Sequence, residues 1–152
     1  MLKNIMRRTL SYVMTAAMLI ALLPNVSFAS AETPTAYVTI ENTTYTAEGA
    51  AWTGQLIDMY PVALEDGDTA MSIAQKAVEA KEYTQTGMDS GYVTEINGLS
   101  ASDGGSQSGW MGTLNDWFTS SGLNSFYVSD GDVVKFMYTS NGYGEDLGGS
   151  WS

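Results

Sequence analysis

The stretch VALEDGDTAMSIAQKAVEAK, residues 62–81, passes from a strand pattern to a helix pattern within a few residues. Its Glu-Asp-Gly-Asp segment at 65–68 has the chemistry of a turn, and the last Asp can cap a helix. After this turn, apolar residues recur at the spacing of one helical face: Ala70, Ile73, Ala74, Ala77 and Val78. Because most of them are small, the helix can pack closely on a sheet. We therefore predict a helix over residues 69–81.

Alternating patterns on both sides of this helix predict a sheet. The period of two covers residues 36–41, 55–64, 92–96, 110–114, 126–128 and 133–138. Loops are predicted at 100–109, 115–122 and 141–151, where Gly, Ser and Asn are frequent. One helix laid across one sheet is the economical packing for this order of elements. The predicted fold class is α+β, with a β-grasp-like mixed sheet and one packed helix.

The first 31 residues have the layout of a secretory signal peptide. Lys3, Arg7 and Arg8 precede an apolar run at 9–23, and small residues follow at 27–31. The apolar run is about 15 residues long, whereas a spanning helix needs about 20. We predict cleavage after Ala29 or Ala31, so residues 1–31 form the signal peptide and residues 32–152 form one domain. The expected location is secreted or extracellular, with cell-surface association as a further alternative.

The predicted mature segment is strongly acidic. Residues 32–152 hold 3 Lys and all 17 Asp and Glu, which gives 3 − 17 = −14. Such a surface repels nucleic-acid phosphate and anionic lipid headgroups, so we expect neither nucleic acid nor a membrane as partner after cleavage.

The chain has no His and no Cys. This composition excludes a Ser-His-Asp triad, a Cys nucleophile and a zinc site of His or thiolate ligands. Carboxylates could still form a glycosidase pair, but no spacing selects two of them. We therefore predict that the protein is not an enzyme, with no catalytic residue, no metal site and no identifiable cofactor.

Several short motifs together resemble a known family. They are VALEDGDTA at 62–70, SGWMGTLN at 108–115, Gly122, VSDGDVV at 128–134, MYT at 137–139 and GEDLG at 144–148. This combination is similar to the transcobalamin-like C-terminal domain family, a bacterial surface module of unknown function. The resemblance implies a β-grasp fold of the ligand-binding kind and no known enzymatic activity. Gly112 departs from the family, which often has a larger residue at that position.

Aromatic residues are the candidate binding residues. Trp110, Trp117, Phe118 and Tyr138 could stack on a small molecule, corrinoid-like by resemblance, or on a glycan. Alternatively, Trp110 and Tyr138 complete the core, since both lie in predicted strands. Trp117 and Phe118 fall in a predicted loop, where burial is less automatic. The alternative function is a structural or protein-interaction module of the cell surface, with a surface protein as partner and no small ligand.

Two further motifs have competing interpretations. The Asp-Gly-Asp segments at 66–68 and 130–132 could supply oxygen ligands to Ca²⁺, but they lack the spacing of an EF-hand loop. Turn and cap chemistry explains them better. Lys135 could form an isopeptide crosslink to an Asn or Asp, although a Lys on a strand is usually a solvated residue.

Overall fold

The computed structural model describes residues 32–142, 144–148 and 150–151, and only the backbone of the last pair. The predicted signal peptide, residues 1–31, lies outside the described residues. Within them, no helix is both long and apolar enough to cross a membrane.

Nine strands and one helix follow one another in the described residues. They are β1 (Thr35–Asn42), β2 (Gly54–Ala63), α1 (Ala70–Ala80), β3 (Gln85–Thr86), β4 (Glu95–Ile96), β5 (Leu99–Ser100), β6 (Gly109–Leu114), β7 (Trp117–Phe118), β8 (Val133–Thr139) and β9 (Ser150–Trp151). Short 3₁₀ turns lie at Met88–Ser90, Leu123–Ser125 and Glu145–Leu147.

The larger sheet is mixed and has six strands in the order β2-β1-β8-β6-β7-β9. β1 pairs in parallel with β8 and antiparallel with β2, while β6 pairs antiparallel with both β8 and β7. A smaller sheet holds β3, β4 and β5. A mixed sheet with one helix confirms the predicted α+β class.

The start of α1 is fixed by side-chain hydrogen bonds. The hydroxyl of Thr69 accepts from the Ser72 N–H at 3.2 Å, and the Ser72 hydroxyl accepts from the Thr69 N–H at 2.9 Å. This reciprocal pair is a capping box. The predicted helix is confirmed, and it begins where the turn at 65–68 ends.

Asp68 ties that turn to the helix. Its carboxylate accepts from the Glu65 N–H at 2.8 Å, from the Ser72 hydroxyl at 2.9 Å and from Lys76 Nζ at 2.9 Å. Burial raises the pKa of Asp68, but the hydrogen bonds from Lys76, Glu65 and Ser72 outweigh it and hold the pKa below its ordinary value. The hydrogen bonds to Asp68 and Glu65 raise the pKa of Lys76.

One face of the larger sheet packs against α1. The buried residues that meet there include Val38, Ile40, Val134 and Phe136 from the strands and Ile73, Ala74, Ala77 and Val78 from the helix. These are the apolar faces that the sequence patterns predict for α1, β1 and β8. Buried apolar surface of this kind is the main source of stability in a domain without disulfides.

The opposite face of the sheet is partly covered by the 144–148 segment. A Cβ on Gly144 would lie 3.4 Å from Phe118 Cζ and 3.6 Å from Met111 Cε, so this backbone approaches both side chains closely. Asp146 holds the segment, since its carboxylate accepts from the Ser140 N–H at 2.9 Å. The 141–151 segment, which the sequence predicts as an irregular loop, therefore contains a fixed 3₁₀ turn. The turn is fixed because Asp146 accepts the backbone N–H that follows the end of β8.

β2 lies at one edge of the larger sheet and is irregular there. Its register against β1 shifts near Met59, which has a left-handed backbone with φ 42°. The Met59 N–H donates to the Thr39 hydroxyl at 3.2 Å. Pro61 follows two residues later and has no N–H to offer.

Two predicted strands are shorter in the structure than the sequence pattern indicates. The 92–96 strand is reduced to β4, because Gly91 is left-handed with φ 82° and the Tyr92 N–H bonds back to the Gly87 carbonyl at 3.0 Å. The 126–128 strand is only an isolated bridge between Tyr127 and Thr69.

The predicted 115–122 loop instead begins with a tight hairpin. Asn115 and Asp116 are both left-handed, with φ 52° and 66°, and this pair joins β6 to β7. Two successive left-handed residues match the twist of the flanking strands, which favours a two-residue hairpin.

Candidate functional site

A cleft of about 160 Å³ opens between the larger sheet and two loops. We call it the Trp110 cleft. Its floor comes from β6 and β8, one wall comes from residues 91–93 and the other from residues 119–123, with one contribution from α1. The residues that define it are Met71, Tyr92, Trp110, Gly112, Thr119, Ser121, Leu123 and Phe136.

Trp110 is held between two other aromatic rings. Its ring centroid lies 5.8 Å from that of Trp52 and 5.2 Å from that of Tyr138, the latter in an edge-to-face arrangement. Its indole N–H donates to the Leu99 carbonyl at 3.2 Å. The orientation of Trp110 is therefore fixed by ring packing and by a hydrogen bond to the smaller sheet.

Tyr138 is fully buried and anchors the loop of residues 100–109, which we call the Gly/Ser loop. Its hydroxyl accepts from the Gly104 N–H at 2.9 Å and lies 2.9 Å from the Ser100 carbonyl and 3.1 Å from that of Ala101. The Ser108 hydroxyl is 3.1 Å away. The structure therefore places Tyr138 beneath Trp110 as a support.

Leu123 fills the space that a side chain at Gly112 would need. A Cβ built on Gly112 would collide with Leu123 Cδ1 and lie 3.3 Å from Phe136 Cε1. The side chain of Leu123 is buried, and it closes one end of the cleft over the sheet. This packing gives a physical reason for the Gly at position 112.

The two walls of the cleft meet at Asn124. Cβ atoms built on Gly91 and Gly122 would lie 2.8 Å from Asn124 Nδ2 and 2.7 Å from its Oδ1. Neither position has room for a side chain while Asn124 stays in place. The two glycines therefore let the walls approach each other closely, and this spacing sets the width of the cleft.

The lining of the cleft carries no Asp, Glu, Lys or Arg. Thr119 and Ser121 supply hydroxyl groups, and the Thr119 hydroxyl already donates to the Ser121 carbonyl at 2.6 Å. Tyr92 lies at the lip with 73% of its surface exposed. The arrangement offers aromatic and aliphatic contacts with few hydrogen-bonding groups.

The four predicted binding residues occupy different environments. Trp110 lines the cleft, and Tyr138 is buried behind it. Trp117 is 54% exposed, while its neighbour Phe118 is only 1% exposed and faces the covered side of the sheet. Trp117 pairs with Leu114, four residues along β6 from Trp110, which is about 13 Å along a strand. The four residues therefore do not form one surface.

Sequence patterns do not reveal the walls of the cleft. The pattern predicts a strand at Tyr92 and a loop at Thr119 and Ser121, and it predicts no element at Leu123. One usable signal is the pair Gly87 and Gly91 just before Tyr92, since both glycines are left-handed, with φ 100° and 82°. Paired glycines of this kind indicate a turn, and Tyr92 is the side chain that directly follows it.

The Asp-Gly-Asp segments serve as turns. In the second copy, Asp130 accepts from the Thr35 N–H at 2.7 Å, and Asp132 accepts from the Ser129 N–H at 2.7 Å and from the Asn115 amide at 2.9 Å. Among the described residues, no group of three or more Asp or Glu could hold a metal ion. These contacts support the turn interpretation over the calcium interpretation.

The three lysines of the described segment all have partners. Lys76 bonds to Glu65 and Asp68, Lys135 forms an ion pair with Asp116 at 3.1 Å, and Lys81 lies 4.6 Å from the centre of the Tyr60 ring. Asp116 is well exposed, so its pair with Lys135 is a surface ion pair.

Comparisons with known proteins agree with this architecture. Residues 67–140, which are 74 of the 152, match the family described as "Domain of unknown function (DUF4430)". No curated protein matches the sequence of the chain. The fold is similar to the solved structure titled "Crystal Structure of Haptocorrin in Complex with Cbi", with a TM-score of 0.50 and 18% identity.

That similarity covers 70% of this chain and 25% of the haptocorrin chain, so the matched region is about a quarter of that protein. At 18% identity it concerns the fold alone. Together with the family match, it supports a transcobalamin-like fold, and the predicted resemblance is confirmed at that level.

Proposed function

We propose that this protein is a secreted or cell-surface binding module of β-grasp type, without enzymatic activity, and that it holds a small molecule in the Trp110 cleft. The observation that carries the proposal is the cleft itself, which places a fixed Trp ring, an exposed Tyr and aliphatic side chains around about 160 Å³. Concave, mostly apolar sites with a few polar groups are the usual form of small-molecule sites.

The similarity to haptocorrin supports a corrinoid-like ligand, because that structure was solved in complex with Cbi. Within the cleft, Trp110 and Tyr92 would contact the ligand, while Tyr138 would act only by holding Trp110. The proposed secretion rests on the signal-peptide pattern of residues 1–31.

A glycan is the alternative small ligand. Trp117 is half-exposed on β7 and offers a flat ring on which a sugar could stack. In that case the binding surface would lie at the β6–β7 hairpin, away from the cleft, so the two ligands predict different responses to mutation.

The second candidate function is a protein-interaction module with no small ligand. It is favoured by the exposure of Trp117 and Tyr127, since exposed aromatic residues are common at protein interfaces. Tyr127 lies beside the Asp66–Asp68 turn, apart from the Trp110 cleft.

The proposal is tested by titrating the protein with Cbi, other corrinoids and soluble cell-wall sugars, using calorimetry and ¹H–¹⁵N chemical shifts. We expect saturable binding by one of them, with shift changes at Gly91, Tyr92 and Gly112, and weaker binding in Tyr92→Ala. The matched control is Tyr127→Ala, which removes an equally exposed Tyr elsewhere. Binding that depends on Trp117 and not on Tyr92 would favour the glycan surface, and no binding by any compound would reject the proposal.

A further inference from the structure

The size of the Trp110 cleft limits what can enter it. Its volume is about 160 Å³. An engineered apolar cavity of about 150 Å³ in another protein holds one benzene molecule. The cleft therefore admits one six-membered ring, and any larger ligand must leave most of its surface outside.

The absence of charged side chains in the lining limits the charge of the group that enters. A buried charge needs a partner of opposite sign or several hydrogen bonds, and the lining supplies no charged partner. Outside the cleft, the net charge of −14 for residues 32–152 (3 − 17) further disfavours anions. An uncharged group therefore loses the least hydration free energy when it enters the cleft.

Hydrogen-bonding capacity separates an aromatic ring from a sugar ring. The N–H of Trp110 is taken by Leu99, and the hydroxyl proton of Thr119 is taken by the Ser121 carbonyl. Among the side chains of the lining, this leaves the hydroxyls of Ser121 and Tyr92 to pair with a ligand, with the Thr119 oxygen as an acceptor. A sugar would bury several hydroxyl groups without partners, which is costly, whereas an aromatic ring has none to satisfy.

We infer that the Trp110 cleft binds one uncharged aromatic ring of its ligand, and that Leu123 sets the depth to which this ring can enter. The inference rests on the proposed function and narrows its ligands, since corrinoids that carry an aromatic base have such a ring, whereas Cbi and sugars have none. Trp110, Phe136 and Tyr92 supply the ring contacts, and Leu123 closes the space above Gly112.

The test compares four probes that each carry one six-membered ring, using ¹H–¹⁵N chemical-shift titration of the full chain: benzyl alcohol, benzoate, benzylammonium and methyl glucoside. We expect saturable shifts from benzyl alcohol at Gly91, Tyr92, Gly112 and Gly122. Benzoate and benzylammonium are expected to bind at least about tenfold more weakly, and methyl glucoside is expected to cause no shifts at the cleft.

Three variants locate the site. Tyr92→Ala is expected to weaken benzyl alcohol binding by about threefold or more, while Tyr127→Ala leaves it unchanged. Leu123→Ala is expected to shift the preference toward the larger 2-naphthalenemethanol. If Leu123→Ala does not fold, the comparison of Tyr92→Ala with Tyr127→Ala and the comparison of the four probes still decide whether the cleft binds an uncharged aromatic ring.

Equal binding of the charged probes, binding of methyl glucoside at the cleft, or equal effects of the two Tyr variants would overturn the inference. If Cbi causes shifts at the cleft but benzyl alcohol does not, the inference fails while the proposed function stands. If benzyl alcohol binds as described but no corrinoid or sugar does, the inference stands and the proposed ligands are rejected.

Discussion

The ring of Trp110 meets the ring of Tyr138 at a centroid distance of 5.2 Å and an interplanar angle of 80°. Tyr138 in turn binds the Gly/Ser loop through its hydroxyl, which accepts from the Gly104 N–H. One aromatic contact therefore connects the floor of the cleft with a loop that lies outside it. Changes to Tyr138 are expected to reach the cleft through Trp110.

Removal of the Tyr138 hydroxyl should loosen this loop. Tyr138→Phe keeps the ring but leaves the Gly104 N–H and the Ser100 carbonyl without this partner. We expect a loss of about 1–3 kcal/mol in the free energy of unfolding, measured in urea, because part-buried polar groups lose hydrogen bonds. Amide exchange over residues 100–108 should become faster. Tyr127→Phe is the control, and an equal loss there would contradict the assignment.

Gly112 and Leu123 should be energetically coupled. Leu123→Ala is expected to cost about 2–4 kcal/mol by leaving a cavity, and Gly112→Ala about 1–3 kcal/mol by overpacking. In the double variant the added methyl group enters the vacated space, so the combined loss should be at least about 1 kcal/mol smaller than the sum.

Gly109→Ala is the matched control for this cycle, since Gly109 lies in the same strand and a Cβ there meets nothing within 4 Å. It should show no coupling to Leu123→Ala in the same urea measurements. Strict additivity of Gly112→Ala and Leu123→Ala would show that Leu123 does not occupy this space in solution.

Asp68 should make stability depend on pH. Because its pKa in the folded protein lies below the ordinary value of 3.8, its ionised form stabilises the fold above that pH. This contribution is lost as the pH falls through the lowered pKa. Asp68→Asn should therefore cost about 1–3 kcal/mol at pH 7, as charged hydrogen bonds do, and progressively less below about pH 3.8.

The control for Asp68 lies in the same turn. Asp66 is exposed, and Asp66→Asn is expected to change the free energy of unfolding by less than about 0.5 kcal/mol at pH 7. Urea unfolding between pH 2.5 and pH 7 checks both variants. The unchanged protein and Asp68→Asn should differ less in free energy of unfolding at low pH. A difference that stays constant across this range would be inconsistent with the lowered pKa of Asp68.

Substitutions at Gly87 and Gly67 should distinguish the energetic cost of a steric collision from the cost of backbone strain. Both are left-handed, with φ 100° and 87°, but a Cβ on Gly87 would strike the Tyr92 carbonyl, whereas a Cβ on Gly67 meets nothing within 4 Å. We expect Gly67→Ala to cost about 1–2 kcal/mol from strain alone and Gly87→Ala to cost clearly more. Thermal unfolding of both variants measures the difference, and equal costs would argue against the close approach at Tyr92.

Patterns that repeat along the chain predicted the central elements well. The helix stripe from Ala70 to Val78 and the alternation in β8 are confirmed, because burial on one face imposes the period of each element. The sequence also predicts a cap at this turn, but the N-cap residue is Thr69 and not the expected Asp68, which instead accepts from the Ser72 hydroxyl.

The cleft depends on contacts that no local pattern records. Leu123 meets Gly112, and Asn124 meets Gly91 across a distance of 33 residues in the chain. The sequence predicts Phe118 in a loop. In the structure, two left-handed residues form a tight hairpin, and this hairpin places Phe118 in the sheet. Trp110 was identified because it is aromatic, whereas its surroundings required the three-dimensional arrangement.

The irregular course of β2 affects whether copies of the protein can associate edge to edge at high concentration. Leu64 directs its N–H inward to the Pro34 carbonyl, so the nitrogen of Pro61, three residues earlier, lies on the outer side. The outer row of donors is thus interrupted at Pro61, and the backbone turns out of line at Met59. A strand from another molecule cannot add along this edge as a continuous ladder, so this edge resists polymerisation without any help from a disulfide.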